Sequence, residues 1–123
     1  MIIISSEKKR YYAGVDGGAT KTLALCGDGE GSILGVGMAG PSNYQVVGAA
    51  AAMQAVAEAL ETALRQAGIE RKDLAYTVFA LSGADLPADF ELLQKELTEN
   101  FPRLSFQLVN DCWAAFRAGT DAA

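Results

Sequence analysis

The sequence predicts an α/β domain built on a mixed five-stranded sheet with helices on its faces, in the order β-β-β-α-β-α-β-α. Three observations lead there. Residues 11–39 hold three short segments of alternating apolar residues, separated by glycine-rich turns. From about Val47 the apolar period lengthens to that of a helix. Beyond it, two apolar, β-favouring runs alternate with helical patterns, the mark of parallel strands joined by right-handed crossovers.

Each element has its own reason. Residues 11–16 (Tyr-Tyr-Ala-Gly-Val-Asp) form the first strand and run straight into glycines. Residues 21–27 alternate well enough for a second strand. Asp28-Gly29-Glu30-Gly31 is a turn, since glycine reaches positive φ without steric cost. Residues 32–39 complete an antiparallel meander. Gly40-Pro41-Ser42-Asn43-Tyr44 interrupts the pattern as a loop.

Over residues 47–67, Met53, Val56, Leu60, Leu64 and Ala67 fall on one helical face. Gln54, Glu58, Glu61 and Arg65 take the other, with Glu61 one turn before Arg65. Gly68 is a natural stop. Residues 75–81 read as a buried strand, followed by the loop Ser82-Gly83-Ala84-Asp85. Pro87 suits the first turn of a second helix that carries Phe90, Leu93 and Leu97 inward, ends near Asn100 and is closed by Pro102. Residues 105–110 are the fifth strand. Asp111 stands at its tip and opens a third helix over 112–118, where Trp113 and Phe116 read as core.

A chain of 123 residues suits one domain. Half of it is hydrophobic and 20% is charged, which supports a core and argues against disorder. The net charge of -5 lacks the footprint of a nucleic-acid or anionic-membrane binder. With no histidine, Ser-His and Cys-His nucleophile pairs and His-ligated metals are excluded. Cys26 and Cys112 form no C-x-x-C motif and read as small buried side chains in a reducing compartment. Ile2-Ile3-Ile4 is too short for an export signal, and the basic run Lys8-Lys9-Arg10 lies on its wrong side. No apolar run approaches the roughly 20 residues of a membrane span. The expectation is a cytoplasmic protein, without nucleic-acid or membrane partners, whose residues 1–10 are a poorly ordered leader.

Ligands of such sheets gather at the carboxyl ends of the parallel strands. Here Asp16, Ser82-Gly83 and Asp111 all fall at that edge. The strongest motif is Asp16-Gly17-Gly18-Ala19-Thr20-Lys21-Thr22. Glycines in a tight bend expose consecutive N–H groups that form an anion nest. Thr20 and Thr22 add hydroxyls, Lys21 a positive charge, and Asp16 a carboxylate able to hold Mg²⁺ beside phosphates. A lone D-G-G is an ordinary hairpin; the whole string after an apolar strand is far more specific. It is not the G-x-x-x-x-G-K-[ST] loop.

Gly35-Val36-Gly37-Met38-Ala39-Gly40 matches G-x-G-x-x-G, but a loop and not a helix follows it. Those glycines are expected to let the strand bend or another backbone approach. Asp111 is suited to accept or orient a hydroxyl proton, and equally suited to cap a helix. Ser42-Asn43 and the 82–85 loop carry groups that fit sugar hydroxyls and also fit ordinary turns.

Together these strings resemble the N-terminal half of an actin-like, hexokinase-type ATPase domain. More narrowly they resemble the N-acetylglucosamine kinase branch of the BadF/BadG/BcrA/BcrD-type ATPase family. The resemblance rests on residues 14–22, Gly40-Pro41-Ser42-Asn43-Tyr44, Leu81-Ser82-Gly83-Ala84-Asp85, Phe101-Pro102 and Val109-Asn110-Asp111. It implies a ribonuclease-H-like fold, ATP and Mg²⁺ as cofactors, and a small amino sugar as partner. It implies that Gly17, Gly18, Ala19, Thr20 and Lys21 face phosphate and Asp16 the metal. Asp111 becomes the catalytic base, and Asn43, Ser82, Gly83 and Asp85 become sugar contacts, although Ala84 replaces the more usual glycine. Residues 11–123 would then be the N-terminal half of a longer enzyme, with little activity alone and with pairing through the second half. Two other readings stay open: an ATPase activator of a reductase or dehydratase, and an actin-like ATP-binding scaffold. A two-metal nuclease using Asp16 and Asp111 is disfavoured by the acidic balance and the glycine-rich loop.

Overall fold

A computed structural model describes residues 9–111. The predicted helix over 112–118, with Cys112, Trp113 and Phe116, lies outside the described residues. The strands are β1 (Tyr11–Gly17), β2 (Thr22–Asp28), β3 (Ile33–Ala39), β4 (Leu74–Leu81) and β5 (Phe106–Asn110). The helices are α1 (Tyr44–Val47), α2 (Ala49–Ala67) and α3 (Pro87–Asn100), with a short 3₁₀ turn at Arg71–Asp73.

The five strands form one mixed sheet in the order β3-β2-β1-β4-β5. β1, β2 and β3 pair antiparallel, as the alternating meander predicts. β4 joins β1 in parallel and β5 joins β4 in parallel, as expected of strands linked through helices. The sequence places a loop at 40–44 and a helix over 47–67, whereas the helix α2 starts at Ala49 and Gly48 at φ 88 separates it from the one-turn α1, which begins at Tyr44. That backbone angle is open to glycine and strained for other residues, so the break is local chemistry.

α2 and α3 share one core with one face of the sheet: Val56, Leu60 and Leu64 from α2, Leu93 and Leu97 from α3, and Val15, Cys26 and Phe79 from the strands. Phe79 packs against Phe101 and Phe106 with ring centroids 5.4 and 5.5 Å away. Cys26 is fully buried and its thiol is pushed up by burial, consistent with a packing role. By strand alternation the opposite face presents Tyr12, Leu25, Val36, Met38 and Tyr76, each 37–56% exposed.

The Gly35-Val36-Gly37 string serves the packing expected of it. A methyl group on Gly35 would overlap the Ala63 carbonyl oxygen, and one on Gly37 that of Ala59. α2 therefore lies backbone-to-backbone on β3, with its alanines filling the gap. At the same edge the Gln66 side chain reaches across, and its Oε1 accepts the Val36 N–H at 2.8 Å. No helix among the described residues is long and apolar enough to cross a membrane.

Candidate functional site

The carboxyl edge of β1, β4 and β5 collects the predicted site residues. β1 ends at Gly17 and β2 begins at Thr22, which leaves residues 18–21 as the bend. Gly18 N donates to Lys21 O at 2.8 Å and closes it. The Gly18 amide is thus spent inside the hairpin and cannot join an anion nest, contrary to the sequence reading. The amides of Ala19, Thr20 and Lys21 have no partner among the described residues, and all three residues are exposed. The nest narrows to that outward run of donors, with the Lys21 amine beside it.

Thr22 is a second correction. Its hydroxyl, expected to face a ligand, is fully buried and hydrogen-bonds to Gly40 O and Ser42 Oγ, both at 2.7 Å. Ser42, 1% exposed, also donates its backbone N–H to Gly18 O at 3.1 Å. A methyl group on Gly17 would overlap Ser42 Oγ. Thr22 and Ser42 are therefore a strut beneath the bend, and Gly17 is glycine because the strut approaches so closely. The sequence signal was present in both hydroxyls but could not tell a ligand contact from a support.

Asp16 is exposed on the sheet face away from α2, with Leu23 and Ala80 as its Cα partners. Gly17 pairs with Leu81, and Leu81 with Asn110, so Asp111 follows at the same edge. β1 and β5 lie two strand spacings apart, about 10 Å. Asp16 and Asp111 thus stand at one edge of the sheet and are not at opposite poles of the molecule. No cluster of three acidic or cysteine ligands occurs among the described residues. A single exposed carboxylate beside a bend of outward amides still fits Mg²⁺, which commonly takes one or two carboxylates and completes its shell with phosphate oxygens and water.

The third wall is the loop after β4. Ser82 N donates to Gly17 O at 2.8 Å and stitches the loop to the bend. Ser82 Oγ is buried without a partner among the described residues. Gly83, at φ 93, lies so close to Asn43 and Tyr44 that a side chain there would press on both. Asn43 caps α1 through Oδ1, which accepts Gln45 N–H at 3.0 Å. Its Nδ2 amide makes no bond among the described residues. Asn110 Nδ2 donates to Asp85 Oδ1 at 2.8 Å and to Ala84 O at 2.9 Å.

One residue escaped the sequence reading. Asp89, on the first turn of α3, is only 8% exposed. Its Oδ1 accepts from Tyr44 Oη and from Gln45 Nε2, and its Oδ2 from the amides of Asp85 and Leu86. The Tyr44 hydroxyl, then the Leu86 amide, hold its carboxyl below the usual Asp range. The same bond pushes the Tyr44 hydroxyl up. A depressed carboxyl stabilises the fold above its unfolded pKa of about 3.9 and loses that contribution as pH falls through the folded value. The stability gap between wild type and Asp89→Asn is expected to be wide near neutrality and to close on acidification below about pH 4, measured by urea titration across that range.

Comparison with known proteins agrees with this fold. A candidate N-acetylglucosamine kinase from Chromobacterium violaceum superposes with a TM-score of 0.65 at 28% identity, over 83% of this chain and 35% of that one. A candidate N-acetylglucosamine kinase from Porphyromonas gingivalis gives a TM-score of 0.61 at 20% identity, over 81% of this chain and 34% of that one, a likeness of fold. The chain thus spans about a third of the length of these proteins. The sequence model of the BadF/BadG/BcrA/BcrD ATPase family matches residues 13–122, nearly the whole chain, and the chain belongs to that family.

Proposed function

We propose that this chain is the phosphate- and sugar-binding N-terminal half of an ATP-dependent amino-sugar kinase, which transfers the γ-phosphate to a hydroxyl of an N-acetylglucosamine-like sugar. One observation carries the reading. The bend with unpartnered Ala19, Thr20 and Lys21 amides shares one sheet edge with Asp111, and the Asn43, Ser82 and Asp85 groups stand by the loop between them. Likeness to the Chromobacterium violaceum protein supports it.

In this reading the Ala19, Thr20 and Lys21 amides and the Lys21 amine hold phosphate oxygens. Gly17 and Gly18 shape the bend without donating. Asp16 would hold Mg²⁺, which would neutralise charge on the phosphoryl group that ATP donates. Asp111 orients the acceptor hydroxyl and takes its proton. Asn43 Nδ2, the Ser82-Gly83 backbone and Asp85 meet the sugar. A second half-domain closes the cleft and excludes water, so this chain alone turns over little. Pairing through that half and a cytoplasmic setting belong to the same reading.

The test is ADP formation by the full-length gene product with Mg·ATP and a panel of hexoses and hexosamines. N-acetylglucosamine is expected to stimulate it. No stimulation by any sugar in the panel defeats the proposal, and nucleotide-driven assembly without sugar dependence favours a scaffold instead.

A further inference from the structure

The Asp89 cluster does more than cap a helix. A capping carboxylate needs only the amide at the start of its own helix, here Leu86 N at 2.8 Å. Asp89 spends its other oxygen on Tyr44 and Gln45, more than forty positions away in sequence. Gln45 Nε2 also donates to Gly83 O at 3.1 Å. These bonds fasten the helix that begins at Asn43 to the loop that carries Asp85. The Asp85 amide is itself among the donors to Asp89, at 3.3 Å. None of the bonds reaches the 18–21 bend.

We propose that Asp89, through Tyr44 and Gln45, is the positioning residue of the acceptor side of the cleft. It sets the separation of Asn43 and Asp85, the two side chains that meet the sugar in the reading above, on which this inference rests. A buried carboxylate with four donors is stiff, because each donor left unmatched would be a desolvated polar group. Among the described residues neither the Asn43 nor the Asp85 side chain hydrogen-bonds to Asp89, so in this proposal Asp89 acts on the sugar by placing them. The nucleotide side has bonds of its own, from Gly18 to Lys21 and from Ser42 to Gly18, and it meets the acceptor loop through the Ser82 N–H on Gly17 O, a bond that does not involve Asp89.

The separation gives the test. Initial rates of the full-length gene product are measured with Mg·ATP and N-acetylglucosamine varied in turn, for wild type, Tyr44→Phe and Asp89→Asn. Tyr44→Phe removes only one hydroxyl, so it keeps the test open if Asp89→Asn does not fold. The KM for N-acetylglucosamine is expected to rise about tenfold, roughly the loss of one well-placed hydrogen bond, with the KM for ATP unchanged. Unchanged sugar KM in an active Tyr44→Phe enzyme overturns the positioning role and leaves the kinase reading intact. A joint rise of both KM values overturns it too, since that marks general loosening. A wild type without sugar-dependent ADP release defeats the kinase reading and this inference together.

Discussion

Replacing Asp111 with asparagine is expected to lower kcat for sugar-dependent ADP formation by about 10²–10⁴-fold, with KM for ATP nearly unchanged. Asparagine keeps the shape of the side chain and removes the proton acceptor. The effect falls on the chemical step because β5 delivers Asp111 to the edge where β1 delivers the bend, about 10 Å away. Phosphoryl transfer has a loose transition state in which little negative charge must build on the nucleophile. The lower part of the range is therefore the better expectation. Steady-state kinetics on the full-length gene product decide it. Activity within a factor of three of wild type would remove Asp111 from the chemistry and leave it as a helix cap.

Replacing Gly37 with alanine is expected to destabilise the fold by about 3 kcal/mol, the upper part of the overpacking range. The added carbon would meet the Ala59 carbonyl and the Ala63 amide, both backbone atoms of α2. Backbone in a helix of 19 residues cannot step aside as a flexible side-chain tip can. Relief requires moving α2 off β3, which opens the core around Val56, Leu60 and Leu64. Gly40→Ala is the matched control, because nothing lies within 4 Å of its added carbon. Urea unfolding of both variants at neutral pH measures the difference. Equal midpoints would refute the close packing.

The sheet was legible because its signals are local. Alternation placed β1, β2 and β3 to within a residue or two, and the crossover rule gave the parallel pairing of β4 and β5. The glycines of β3 were legible in part, since a G-x-G string without a following helix points either to a bent strand or to close packing, and the structure selects the second. Other features depend on partners distant in the chain. Thr22 and Ser42 look like ligand groups until the fold buries them against each other. Gly18 looks like an amide donor to phosphate until its bond to Lys21 is seen. Asp89 reads as one more acid on the first turn of a helix, where its charge is ordinary. Its bonds to Tyr44 and Gln45 leave no spacing in the sequence that would reveal them. The break at Gly48 falls within an alanine-rich run whose helical tendency masks it.

The Gln66 amide beside Val36 bears on how copies of this molecule behave at high concentration. An outermost strand with free N–H and C=O groups invites a neighbouring molecule to extend its sheet, the first step toward fibrils. Occupying one rung of that ladder with a side chain from within the same molecule breaks the template at its middle. A side chain from α2 thereby denies an incoming strand one of the donors it would pair with.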